Sequence, residues 1–194
     1  MKTKHQIIVS ASSLCCAIFF NLPAHAENRK ICPDYPPIPA SQNSKVVQLK
    51  KLIEFKIPAN FRTIPYRNKT EASIGIYNPS SFRTIDCMVK NNVGTEDFYV
   101  LATIRVKVLD RKEDLIAINR KLHARGGIWN IENLTINGQA AIKYRHSILS
   151  GEHVGFSFLK PDGKTLVNIS YAPSPKSSIV NTEKLAAQIV DSIR

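Results

Sequence analysis

Residues 128–171 read IWNIENLTINGQAAIKYRHSILSGEHVGFSFLKPDGKTLVNISY, and this stretch decides the fold class. Its alternating apolar residues are interrupted at Asn137-Gly138-Gln139, at Ser150-Gly151-Glu152 and at Pro161-Asp162-Gly163-Lys164. Alternation marks strands with one buried face, and short glycine-bearing breaks mark hairpins. The pattern predicts a four-stranded antiparallel meander. A slip of one residue turns a strand's apolar set outward, so parity gives a trial register. It pairs Ile136 with Ala140 and Leu134 with Ile142 across the first loop. Across the second it pairs Ile148 with Val154, His146 with Phe156 and Tyr144 with Phe158. Across the third it pairs Phe158 with Val167 and Phe156 with Ile169.

Upstream, the even positions from Phe98 to Val108 are apolar while Arg105 and Lys107 alternate with them, which predicts a long strand with one buried face. Asp110-Arg111-Lys112-Glu113 has the form of a capping box and opens a helix through Leu115, Ile118 and Leu122, closed by Gly126-Gly127. Arg120, Lys121, His123 and Arg125 fall at its C-terminal end, where the helix dipole favours cations, so this cluster has a structural explanation. Asn78-Pro79 supplies a cap and a first-turn proline for a short helix that carries Ile85, Cys87 and Met88 and stops at Asn91-Asn92. Ile53, Phe55 and Ile57 alternate with Glu54 and Lys56, and Ala72, Ile74 and Ile76 repeat the pattern. These two strands are expected to pair like a hairpin around Arg67-Asn68-Lys69. Leu185, Ala186, Ile189, Val190 and Ile193 form one stripe of a closing helix that covers the sheet. The class is therefore α+β: an antiparallel sheet with a C-terminal meander and helices packed on it.

The amino terminus has Lys2 and Lys4, an apolar run from Ile7 to Leu22, and small residues at Ala24 and Ala26. That is the form of a secretory signal over residues 1–26, cut after Ala26. Cys15 and Cys16 lack the lead-in that lipidation requires. Export is thus expected to the periplasm, a thylakoid lumen or the medium, as a soluble protein. Residues 27–44, with Pro33, Pro36, Pro37 and Pro39, read as an extended arm, and 45–194 as one domain. Cys32 and Cys87 remain after cleavage, and an oxidising compartment predicts a disulfide between them, two free thiols being the alternative.

Lys2 and Lys4 are the only charged residues of the signal segment, so the remainder carries 25 basic residues against 15 acidic ones, a formal net charge of +10. This balance favours an acidic protein partner, or a polyanion or anionic membrane surface. Lys143 and Arg145, on the expected outer face of the meander, are the candidate basic surface. Phe156, Phe158, Tyr144 and Tyr171 fall on the expected core face, leaving no stacking platform, so nucleic acid is not an expected partner.

No catalytic motif survives inspection. Gly163-Lys164-Thr165 has Phe158 where a phosphate loop needs its first glycine, and it joins two strands rather than a strand and a helix. Gly155-Phe156-Ser157 lacks the closing glycine of a nucleophile elbow. His146 and His153 are close in sequence, but the trial register sets them on opposite faces, which forbids a shared metal ion and leaves His146 as a core histidine. No metal, cofactor or catalytic residue is assigned.

Thr135-Ile136-Asn137-Gly138-Gln139-Ala140-Ala141, Lys160-Pro161-Asp162-Gly163-Lys164-Thr165-Leu166 and the ending Ile189-Val190-Asp191-Ser192-Ile193 resemble the PsbP superfamily, the extrinsic proteins of photosystem II and their bacterial and Ran-binding relatives. The resemblance implies an antiparallel sheet sandwiched by helices and a non-enzymatic accessory or assembly role in a larger complex. Together with the basic balance, it leads to an exported, monomeric accessory protein that binds a protein partner through a basic surface. The alternatives are a secreted enzyme with a site of scattered residues, which requires a polar-lined concave pocket with perturbed pKa values, and a polyanion or anionic-membrane binder.

Overall fold

The computed structural model describes residues 31–93, 100–148, 151–174 and 178–194. The expected signal segment, Phe98 and Ser150 lie outside the described residues. The elements are β1 (Ser44–Leu49), β2 (Ile53–Pro58), β3 (Arg62–Tyr66), β4 (Ala72–Tyr77), α1 (Pro79–Lys90), β5 (Val100–Val108), α2 (Leu115–Leu122), β6 (Ile128–Ile136), β7 (Gln139–Ile148), β8 (Gly151–Leu159), β9 (Thr165–Tyr171) and α3 (Thr182–Ser192). The fold is α+β, with two antiparallel sheets: the ribbon β1-β2, and seven strands in the order β3-β4-β5-β9-β8-β7-β6. Among the described residues, no helix is long and apolar enough to cross a membrane.

The register stacks Ile74, Ile104, Ile169 and Phe156 across four strands on one face of the large sheet. Phe55 and Ile57 of the ribbon and Leu185, Ala186 and Ile189 of α3 cover that face, giving the main core. The closing helix thus does what its stripe predicts. The chain end also seals the outer edge of β2, where Glu54 and Arg194 exchange backbone hydrogen bonds of 3.2 and 3.0 Å. The opposite face of the large sheet carries α2.

The expected pairing of the Ile53 and Ala72 strands does not form. β2 pairs with β1, Phe55 opposite Val47, and β4 pairs with β3 and β5. The turn between β1 and β2 uses Lys50 and Lys51 at φ 47° and 58°, with none of the glycine or asparagine that signals such a turn. β3 contains Pro65, which an edge strand tolerates because half of its amides meet no partner strand. The second helix begins later than its box-like start: Asp114 is the N-cap and accepts from the Ala117 amide at 2.9 Å. Glu113 instead holds Lys121 at 2.7 Å and Arg111 at 3.2 Å. Val108, expected on the buried face of β5, is exposed.

Cys32 is fully buried and bonded to Cys87 of α1, with Cα atoms 5.7 Å apart. The arm is held by more than this bridge. Asn78, the N-cap of α1, accepts from the Ile38 amide at 3.0 Å and donates to the Ile38 carbonyl at 2.6 Å. Asn60 treats Ser41 and Pro39 in the same way at 3.0 and 2.8 Å, and the Thr84 hydroxyl donates to the Pro33 carbonyl at 3.1 Å. Replacing buried Asn78 by alanine removes the helix cap and both bonds to Ile38, and is expected to cost about 2 kcal/mol. Equilibrium denaturation of Asn78→Ala checks this, and a cost below about 0.5 kcal/mol contradicts the assignment.

Two of the three hairpin registers differ from expectation. Asn137-Gly138 makes a two-residue turn, pairing Ile136 with Gln139 and Leu134 with Ala141. Both turn residues have positive φ, 49° and 77°, which Asn-Gly tolerates best. Between β7 and β8, Ile148 pairs with Gly151, Tyr144 with Gly155 and His146 with His153. The third hairpin keeps its predicted pairs, Phe158 with Val167 and Phe156 with Ile169.

Candidate functional site

The change of β7–β8 register moves Tyr144, His146 and Ile148 to the face beneath α2, away from Phe156 and Phe158. Paired residues in an antiparallel ladder share a face, so His146 and His153 stand together, ring centroids 5.6 Å apart, rather than opposed as expected. His123, the C-cap of α2, packs against His146 with ring centroids 4.0 Å apart and the planes tilted by 34°. The result is a row of three imidazoles from three elements. Among the described residues, no three His, Cys, Asp or Glu side chains converge as a metal-binding group.

Beneath α2 the sheet is polar, and apart from His146 Nδ1 its buried side chains are joined by hydrogen bonds. Tyr144, fully buried, donates to Asn168 at 2.8 Å, Asn168 donates to Asn119 of α2 at 2.8 Å, and Asn119 donates to Ser157 at 2.9 Å. His123 Nε2 lies 3.2 Å from the Tyr144 hydroxyl. This network fixes α2 on the sheet through hydrogen bonds where the other face uses apolar packing. Burial raises the Tyr144 hydroxyl far above its ordinary range, so it remains a phenol at any physiological pH.

α2 packs mainly on β7 and β8, with Asn119 reaching Asn168 of β9. Beside it, a cleft of about 190 Å³ runs over β5 and β9, with Arg105, Lys107, Thr103, Leu166 and Ser170 on its floor and His123, His146, His153, Leu122 and Ile148 along its side. A second hollow of about 300 Å³, reaching toward β3, shares Arg105, Thr103, His153 and Ser170. Along β9 the floor follows the ladder, Leu166 beside Lys107, Asn168 beside Arg105 and Ser170 beside Thr103. Arg105 is the central cation, its side chain 57% exposed and 4.0 Å from Glu71. These groups come from five separate elements, and the trial register set His146 and His153 on opposite faces.

His146 Nε2 lies 2.9 Å from Ser170 Oγ, a spacing shared with nucleophile–base pairs. The surroundings do not support catalysis by this pair. His146 Nδ1 is buried with no protein partner among the described residues, so no carboxylate orients the ring. Burial, then the neighbouring His123, His153 and Arg105, push the ring down to about 3, which makes it a weak base. Ser170 also sits within β9, between β5 and β8, where ladder bonds occupy the strand amides that would otherwise stabilise an oxyanion. A bare ring nitrogen is tolerated better than an unpaired N–H, so we assign the tautomer in which Nε2–H donates to Ser170. The Ser170 hydroxyl proton is then free to point into the cleft.

Comparison with known proteins leaves the assignment to this geometry. No protein-family model and no curated protein matches the chain. A solved structure from Bacteroides thetaiotaomicron VPI-5482 aligns with a TM-score of 0.44 at 12% identity, over 79% of this chain and 48% of that one. The chain therefore spans about half the length of that protein.

Lys143 and Arg145 lie elsewhere. They pair with Phe156 and Val154 on the core side of the sheet, near its edge and beside the first turn of α3, rather than on the expected outer face. Lys143 stands 6.0 Å over the Phe156 ring, and Arg145 is bonded to Glu152. A hollow beside them includes Glu132 and Glu183, so this surface is nearly balanced in charge. The phosphate-loop look-alike is also accounted for. The Asp162 carboxylate accepts from the Thr165 hydroxyl at 2.5 Å and from the Thr165 and Lys164 amides at 2.7 and 2.8 Å, and these bonds, the hydroxyl's first, pull it down to about 2. The turn already contains its own anion.

The imidazole row makes stability depend on pH. Burial and Arg105 lower His123 to about 4, His146 is lower still, and burial also lowers His153. The folded state keeps these rings neutral while the unfolded chain protonates them near pH 6.5, so acid adds protons preferentially to the unfolded chain. Their contribution is complete above about pH 7 and is lost progressively as pH falls through about 6.5 toward 4. Denaturation midpoints measured across this range should fall on the acid side, and less steeply in His123→Asn. An equal slope in the variant contradicts the role of the row.

Proposed function

We propose that this chain is an exported, non-enzymatic accessory protein that binds an acidic group of a protein partner in the cleft beside α2. The observation that carries the reading is Arg105, a half-exposed guanidinium at the centre of an open, hydroxyl-lined floor whose neighbouring charges are Lys107 and Arg67 against Glu71. The amino-terminal signal pattern and the disulfide support export. The resemblance of the meander turns and closing helix to the PsbP superfamily points to the same accessory role. The unsupported His146 ring argues against turnover at Ser170.

Affinity capture from the native envelope tests the reading. It expects a partner released by salt, retained by Lys164→Glu and lost with Arg105→Glu. Recovery of a free monomer alone, or a partner indifferent to Arg105, rejects it.

A further inference from the structure

Leu122 and Ile148 are 40% and 43% exposed, an unusual state for large apolar side chains that meet at one place. Both line the cleft, across from Arg105 and above buried Leu166. The cleft therefore joins two chemistries. Its floor carries the Arg105 guanidinium, 4.0 Å from the Glu71 carboxylate at the edge of the cleft, and the Ser170 and Thr103 hydroxyls on neighbouring strands. With His146 Nε2–H donating to Ser170, as assigned above, the Ser170 hydroxyl is available as a donor to an incoming anion. Its rim offers apolar surface to a group attached to that anion.

Size and shape narrow the class. At about 190 Å³ the cleft is smaller than the roughly 300–1,000 Å³ common for small-molecule sites, and suits a carboxylate with one apolar side chain. It is not closed, because the shared wall at Arg105, Thr103 and Ser170 opens into the hollow toward β3. A ligand seated here has room to continue outward as a chain. Phosphate would satisfy the floor but leave Leu122 and Ile148 uncovered.

We infer that the cleft binds the free C-terminal carboxylate of a partner chain whose last residue is apolar, with the carboxylate on Arg105 and Ser170 and the side chain against Leu122 and Ile148. This inference rests on the partner-binding reading and specifies the group recognised. Arg105 holds the carboxylate through a charge-assisted contact, Ser170 adds a hydrogen bond, and the apolar rim excludes water from both.

The test is calorimetric titration of the oxidised protein with acetyl-Gly-Gly-Leu as the free acid, its C-terminal amide, 4-methylvalerate and inorganic phosphate. The peptide acid should bind one to one and roughly tenfold more tightly than the amide. Arg105→Gln and Ile148→Ser should each weaken the acid by about tenfold without moving the unfolding midpoint, Ile148→Ser leaving the charge unchanged. Equal binding of acid and amide, or an acid that binds Arg105→Gln normally, overturns the inference. If 4-methylvalerate equals the peptide, the site serves free acids, and if phosphate does, the apolar rim has no role; either result overturns the chain-end assignment. Absence of peptide binding at millimolar concentration also overturns it. Should partner capture still depend on Arg105, only the chain-end inference fails; should both be lost, the accessory reading fails with it.

Discussion

Reducing the Cys32–Cys87 bridge lowers the free energy of unfolding by about 4 kcal/mol, the loop-closure value for a separation of 55 residues. The arm is the first part to loosen. Its segment from Cys32 to Pro39 has no strand partner, and apart from the bridge its backbone is held by the side chains of Thr84, Asn78 and Asn60. Those bonds depend on the arm staying close to α1. Hydrogen exchange at Ile38 and Ser41 should therefore accelerate on reduction, while β5 and β9 in the core remain protected. Cys87→Ser should reproduce the loss, and adding Asn78→Ala should cost less in the reduced protein than in the oxidised one, because the two restrain one segment. An unchanged midpoint, or two free thiols in the mass spectrum of the non-reduced protein, contradicts this account.

Gly155→Val is expected to cost about 4 kcal/mol, combining overpacking with a broken buried hydrogen bond. A Cβ at position 155 overlaps the hydroxyl end of the Tyr144 side chain, with Cε2 and Oη both at 2.7 Å. Tyr144 is fully buried and tied to Asn168, so it moves only by breaking the network that seats α2. Displacing α2 also carries away Leu122 and His123, which form the wall of the cleft. Denaturation of Gly155→Val beside Tyr144→Phe checks the mechanism. The second variant loses only the hydroxyl and should cost about 1–2 kcal/mol. A loss below that of Tyr144→Phe means that the ring accommodates the new side chain.

The predicted elements that formed in place are those whose signals are local. Asn78-Pro79 caps α1 by its own chemistry, the stripe from Leu185 to Ile193 needs only one apolar surface to rest on, and the Pro161–Lys164 turn sets its register through Asp162. The β7–β8 hairpin shows where such reasoning stops. Its trial register matched Tyr144 and His146 to phenylalanines on the premise that one apolar face decides the pairing. In the folded sheet β7 lies next to the edge, where Lys143 and Arg145 reach solvent from the core side, while Asn168 accepts from Tyr144 and Ser170 contacts His146 Nε2 beneath α2. Both faces are thus acceptable to β7, and its alternation does not choose between them.

The sequence by itself determined the α+β class, the presence of the three helices and the buried faces of α3 and of the β8–β9 hairpin, because each follows from periodicity, capping or turn chemistry. It also made the Cys32–Cys87 bridge the expected pairing, which the structure contains. The tertiary structure alone decided which strands are neighbours, and with that the candidate site. Arg105, Ser170, His146, His153 and Leu122 belong to β5, β9, β7, β8 and α2, and they share a cleft because β9 inserts between β5 and β8 and the C-terminal end of α2 borders it. Strand order is a contest among long-range pairings of similar local energy, and packing of the whole sheet settles it.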